Sequence, residues 1–299
     1  MTEQPYVGST KQVGFIVGTG RCGTTILARV LNAHSKICVP HELQIILGIG
    51  NGDRLYEKFV SGEMGKYRAA DFVSLIEARC PYQFEKFFDF RKHFDELEYP
   101  QSDLRGLLTE LFDHICFTYR KEVFIEQTPW YGQKLDILKK LFPDMKVIHI
   151  FRDGRDVAMS FSRTPWRPDD VNWNLLKWEK DINTIHEYGV RHPENFIEIR
   201  YEDLVLDPDA ELSRALALFG LEFEPTMRDP DRLVDYASMF KGDALTFQSQ
   251  NFKKWTAGKS GVFFPESRFA WKRKGRETFR KLPENVTRTL KKFDYEISD

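Results

Sequence analysis

Cysteine, net charge and long apolar runs are all scarce in this chain, and each shortage removes a class of protein. Four cysteines, Cys22, Cys38, Cys80 and Cys116, are scattered through 299 residues without a CxxC pair. Neither a zinc site nor a disulfide framework is therefore expected, and buried free thiols are. The 44 Lys and Arg nearly cancel 45 Asp and Glu, leaving −1, which excludes a surface of one sign built to wrap nucleic acid but not local basic patches. The opening MTEQPYVGSTKQ lacks the apolar stretch of about 7 to 15 residues found in a secretory signal. No run reaches the roughly 18 residues needed to cross a bilayer. These absences predict a soluble, cytoplasmic protein. Core material is plentiful, at 41% hydrophobic and 14% aromatic, which excludes a disordered or collagenous chain.

The periodicity predicts an α/β chain. VGFIV over 13–17 is short, apolar and rich in β-branched residues, and TTILARVLNAH carries Ile26, Leu27, Val30 and Leu31 at helical spacing. Strand, glycine-rich loop and helix follow in that order. A second strand over 37–39 ends at Pro40, and Glu42 opens a further helix. From about 50 to 120 the pattern is helical and rich in Phe and Tyr, including Tyr82, Phe84, Phe87, Phe88, Phe90 and Phe94, with no strand. This reads as a helical insertion within one domain spanning 1–299. Strands over 122–126, 146–151 and 196–200 then alternate with helices through Leu135, Leu138 and Leu141 and from Asp156. A parallel sheet covered by helices on both faces follows, with ligands at the carboxyl ends of its strands. The stretch 252–281 is basic, with ten Lys or Arg against Glu266 and Glu277.

Gly18-Thr19-Gly20-Arg21-Cys22-Gly23-Thr24-Thr25 follows a strand and opens a helix. Its glycines permit a tight loop whose N–H groups converge on an anion at the helix N-terminus. The run fits G-x-x-x-x-G, yet Thr24 stands where a nucleotide triphosphatase has Lys, and the charge sits on Arg21 instead.

At these residues the chain resembles the sulfotransferases that use 3′-phosphoadenosine 5′-phosphosulfate (PAPS), in particular the branch with an R-x-G-T-T loop that includes the tyrosylprotein enzymes and many bacterial ones. The resemblance covers about 13–42 and 122–206, with a weaker echo over 272–295 and none in the helical insertion. It implies a P-loop-like α/β fold, PAPS as co-substrate with PAP as product, and no metal. It assigns the 5′-phosphosulfate to Gly20, Arg21, Cys22, Gly23, Thr24 and Thr25, with Arg21 also neutralising the leaving group. The family's 3′-phosphate pair, an Arg and a Ser eight residues apart, matches Arg152 and Ser160, where a guanidinium fork and a hydroxyl can share one phosphate. Tyr201, in the Y-E-D-L segment, resembles a tyrosine beside the nucleotide, and Arg273-Lys274-Gly275-Arg276 resembles the basic lid over the 3′-phosphate.

Sulfuryl transfer requires an in-line acceptor, a base for its proton and neutralisation of the departing phosphate. Glu42 occupies the place of the catalytic Glu of the tyrosylprotein enzymes, 21 residues after Arg21. A helix-terminus role for Glu42 and a base role for the adjacent His41 stand beside that assignment. The histidine of the K-T-H segment of cytosolic hormone enzymes is missing, because that place reads Gln127-Thr128-Pro129. Gln127 also replaces a Lys that many relatives carry. His149, between Ile148 and Ile150, is expected to be a hydrogen-bonded core residue, and Trp130 and Tyr131 are more at home in a core than in a site. A nucleotide kinase or triphosphatase would need the missing loop Lys, and a non-catalytic nucleotide-binding module would not need Glu42. The expected partner is an acceptor alcohol or phenol, whether small molecule, lipid, carrier-bound acyl chain, sugar or peptide, with no nucleic acid and no membrane span. The aromatic-rich insertion is expected to wall the acceptor cleft. Nothing in the sequence reads out the oligomeric state.

Overall fold

Apolar runs buried on both faces fix the sheet. The computed structural model describes residues 10–40, 42–43, 46, 74, 104–165, 167–233 and 262–297. Five parallel strands, β1 (Gln12–Val17), β2 (Ile37–Cys38), β3 (Val123–Glu126), β4 (Lys146–Phe151) and β5 (Phe196–Arg200), pair in the order β2-β3-β1-β4-β5. β1 is central, and its Phe15, Ile16 and Val17 are fully buried, as are Val147, Ile148 and Ile150 of β4. A strand with no solvent face has no use for alternating polar residues, which is why these strands read as continuous apolar runs.

Helices cover both faces. On one face pack α1 (Thr24–Asn32), α4 (Gly154–Phe161), α6 (Tyr201–Leu204), α7 (Pro208–Ala217), α8 (Trp271–Lys274) and α9 (Glu284–Lys292); on the other lie α2 (Leu104–Thr118), a 3-10 turn (Pro129–Lys134) and α3 (Leu135–Leu141). The long α5 (Val171–Arg191) bridges them, burying Trp178 and Ile182 in the first core and Ile185 and Tyr188 in the second. Phe112 of α2 stacks on Phe124 of β3 with ring centroids 3.9 Å apart.

The second and third strands are a residue shorter than expected, and the helix expected from Asp156 begins at Gly154. The reason is a cap: the Asp153 carboxylate accepts the Arg155 N–H at 2.9 Å, so the helix opens directly from the strand end. His149 is buried with Nδ1 2.9 Å from Glu198 Oε1, the expected core histidine. Cys22, Cys38 and Cys116 are buried free thiols, and Cys80 lies outside the described residues. Of the expected insertion, α2 is described, whereas the rings from Tyr82 to Phe94 lie outside the described residues. Among the described residues no helix is long and apolar enough to cross a membrane.

Candidate functional site

Every assigned residue that is described sits at the carboxyl edge of the sheet or on the C-terminal segment packed against it. The loop 18–23 leaves β1 and turns into α1 through three residues with positive φ, Gly20 at 79°, Arg21 at 55° and Gly23 at 103°. Such reversals turn successive N–H groups inward. Gly23 has no substitute here, since a Cβ would lie 2.5 Å from the Tyr201 ring as well as straining the backbone. Gly23→Ala should therefore lower Tm and weaken PAP binding together, since conformational strain alone costs roughly 1 to 3 kcal/mol; thermal denaturation with and without PAP checks this. Helix α1 opens with Thr24 and Thr25, no acid in its first turn and no side-chain cap, so its positive end is free to meet an anion. Cys22 faces the core, where burial pushes its thiol pKa up, so only its backbone is available to a ligand.

Arg21 reaches across to the second motif and donates Nε–H to Ser160 Oγ at 3.0 Å. Ser160, assigned with Arg152 to one phosphate, thus also meets the loop arginine. Arg152, immediately after β4, gives Nη2 to Asp156 Oδ2 at 3.0 Å and to the Ser267 carbonyl at 2.7 Å. Its guanidinium lies 4.6 Å from the centroid of the Tyr201 ring, whose hydroxyl is 2.7 Å from Ser267 Oγ. The Arg152 Nε is buried and has no hydrogen-bond partner among the described residues. Enclosure by protein and the like charge of Arg152 pull the Arg21 pKa down, although Arg21 keeps a solvent-facing surface. Burial opposes the charge on Arg152 too, but Asp156, Tyr201 and Glu202 outweigh it and raise its pKa. Two repelling guanidiniums, an unpartnered buried N–H and an open helix N-terminus together make a cradle for a ligand with two anionic ends.

The basic tetrad is brought to the same place. Gly275 packs on Met159, next to Ser160, so closely that a Cβ would lie 2.6 Å from its sulfur. Arg273 donates to the Glu266 carbonyl at 2.5 Å, and Lys274 and Arg276 are exposed. What anchors this segment escaped the sequence reading. Asp156 accepts the Trp271 N–H at 2.8 Å and the Ala270 N–H at 3.2 Å, and Asp153 accepts the Trp271 indole N–H at 3.0 Å. Arg155 forks onto Asp153 and stacks 3.8 Å from the centroid of the Trp271 ring. The acids of the R-D-G-R-D run were the available signal, but Ser267 carried none.

Glu202 closes the network from below. It accepts the Asp153 N–H at 3.0 Å and the Tyr295 hydroxyl at 3.1 Å, and burial pushes its pKa up to about 7. A carboxyl whose folded pKa is raised lends stability that is complete below the unfolded value and is lost as pH rises through the folded one. Glu202→Gln should therefore flatten the fall of Tm between about pH 5 and 7, a slope measurable by denaturation across that range.

On the other side of the loop, the Gln127 amide donates to Glu42 Oε1 at 3.4 Å from the end of β3, and the charge of Glu42 reaches Arg21. Gln127 is fully buried, and its Oε1 has no hydrogen-bond partner among the described residues. His41 lies outside the described residues. Tyr131 is a core residue that takes the Ile46 N–H at 3.1 Å, as expected of an aromatic there.

The chain is similar to known proteins. The family model described as "Sulfotransferase family" matches residues 15–225. The nodulation protein NoeE of Sinorhizobium fredii is 25% identical over 236 residues, covering 71% of this chain and 50% of that protein. Protein-tyrosine sulfotransferase A of Caenorhabditis elegans is 21% identical, over 74% and 53%. The omega-hydroxy-beta-dihydromenaquinone-9 sulfotransferase Stf3 of Mycobacterium tuberculosis is 24% identical, over 75% and 67%. The chain thus spans about half the length of the first two relatives and two thirds of the third. Among solved structures, the sulfotransferase domain of the curacin biosynthetic pathway aligns with TM-score 0.63 at 19% identity, over 96% of this chain and 99% of that one. That of the Synechococcus PCC 7002 olefin synthase aligns with TM-score 0.63 at 20% identity over the whole of both chains. The family match, which spans both the loop and the second motif, establishes that the chain belongs to the sulfotransferase family.

Proposed function

We propose that the protein transfers a sulfuryl group from PAPS to an acceptor hydroxyl, acting as one unit over its whole length. The observation that carries this reading is the bond from Arg21 Nε to Ser160 Oγ, which joins two anion-binding motifs separated by 139 residues in the chain. A triphosphatase would instead carry a loop Lys, which is absent.

In this reading the α1 N-terminus, with Gly20, Cys22, Gly23, Thr24 and Thr25, holds the phosphosulfate. Arg152, Ser160 and the tetrad Arg273 to Arg276 hold the 3′-phosphate, and Tyr201 supports Arg152. PAPS supplies an activated sulfuryl group on a phosphate leaving group. The S–O bond to the phosphate breaks as an S–O bond to the acceptor forms, and the electron pair stays on the phosphate, where Arg21 meets the growing charge. Glu42 takes the acceptor's proton, oriented by the Gln127 amide. Acceptor choice falls to the aromatic-rich insertion, whose composition suits an apolar or aromatic alcohol. The names of two relatives, for protein tyrosine and for an ω-hydroxylated menaquinone, support a phenol or a lipid alcohol.

Thermal denaturation tests the nucleotide assignment. Since only a native-state ligand stabilises, PAP at about 100 times its Kd should add roughly 2.7 kcal/mol, and ATP at the same concentration far less. A larger response to ATP would overturn the reading. Because arginines and backbone N–H groups supply the neutralisation, turnover should persist in EDTA; loss restored by Mg²⁺ would point to phosphoryl chemistry.

A further inference from the structure

The last residues of α4, Ser160 and Phe161, meet Arg21 and Gly20 of the phosphate loop. The contact is close, since a Cβ on Gly20 would lie 2.9 Å from Phe161 Cζ. Arg167 lies between α4 and α5 in the chain. The Arg167 guanidinium lies 4.6 Å from the centroid of the Phe161 ring and 5.4 Å from that of Trp173, a residue 43% exposed. An arginine covering aromatic surface is common, but this one is held without a polar partner. It makes no hydrogen bond or ion pair among the described residues. Asp181, the acid whose charge reaches it, is already paired with Lys177 one helical turn away. Asp170 is engaged in capping α5 through the Trp173 N–H.

We propose that Arg167, stacked between Phe161 and Trp173 beside the phosphate loop, recognises an oxyanion carried by the acceptor at a distance from the hydroxyl that is sulfated. This inference rests on the sulfotransferase reading and names the acceptor class, an alcohol or phenol with an apolar body and one anionic group. A planar fork of five N–H donors suits a carboxylate or phosphate. The two rings hold the guanidinium without using its donors. Partial burial pulls the Arg167 pKa down, opposed among the described residues by Asp181, which is itself paired with Lys177, so a bound oxyanion would supply a further counter-charge.

The test uses matched probes with the PAP complex of the full chain: para-hydroxyphenylacetate against its methyl ester, and ω-hydroxydodecanoate against its methyl ester. Calorimetry should show the acid of at least one pair binding about 10- to 100-fold more tightly than its ester. Arg167→Gln should abolish that difference by weakening the acid alone, with PAP affinity unchanged. Arg167→Lys, which keeps the charge but not the stacked fork, should retain part of it. Equal or better binding of both esters, no binding by either pair, or an equal loss for acid and ester in Arg167→Gln would overturn the inference. A chain that does not bind PAP at all would instead fail the sulfotransferase reading itself.

Discussion

Glu42→Gln is expected to lower turnover by about two to four orders of magnitude while leaving PAP affinity near wild type. The substitution keeps the length of the side chain and an oxygen that can still accept from the Gln127 amide, whose Nε2 is now 3.4 Å from Glu42 Oε1. What it removes is the ability to accept a proton. Because that step matters only as the acceptor attacks, the loss should fall on kcat and kcat/KM and not on nucleotide binding. A helix-terminus role makes a different forecast, a stability loss of roughly 0.3 to 1 kcal/mol with turnover hardly changed. His41→Ala is the companion variant, since an imidazole beside Glu42 is the competing base. Normal turnover in Glu42→Gln with a collapse in His41→Ala would transfer the role. Single-turnover kinetics with PAPS and an acceptor found by screening separates these outcomes.

The parts of this site legible in the sequence are those in which chemistry is written into local order. Gly20, Arg21 and Gly23 could be read because a tight loop between strand and helix needs residues tolerant of positive φ, and two of the three are glycines. Strand β4 could be read to the residue because a parallel strand buried on both faces admits a near-continuous apolar run. The true partners could not. A spacing of eight places Arg152 and Ser160 in one motif, but it holds no trace of Arg21, which meets Ser160 from 139 residues away. Asp156 sits in a run that invites reading as a surface ion pair with Arg152. That pair exists, but it is buried, and its other partners are the N–H groups of Ala270 and Trp271, more than a hundred residues on. Tertiary partners of a charged group leave no periodic trace, so a motif shows which residues bear charge and not which of them meet.

That burial changes what Arg152→Ala should do. As a phosphate contact it should cost about 1.5 to 3 kcal/mol of PAP binding, roughly 10- to 150-fold in Kd. It should also destabilise the fold, because Asp156 would remain as a buried carboxylate without its counter-ion; breaking such a pair costs about 3 to 5 kcal/mol. Here the cost should lie toward the lower end of that range, since Asp156 keeps the N–H groups of Ala270 and Trp271. Arg152→Ala combined with Asp156→Asn separates the two effects. The amide still offers an oxygen to those N–H groups but carries no charge, so the double variant should recover much of the lost Tm. PAP affinity should stay as weak as in Arg152→Ala, because the 3′-phosphate still lacks its guanidinium. Ser160→Ala is the contrasting case. Its hydroxyl meets only Arg21 among the described residues, so it should weaken PAP by the smaller increment of one hydrogen bond, about 0.5 to 1.5 kcal/mol, with Tm unchanged. Calorimetric titration with PAP and thermal denaturation on the four proteins decide the matter. Recovery of PAP affinity along with Tm in the double variant would show that Arg152 serves the fold and not the phosphate, and the 3′-phosphate assignment would fall.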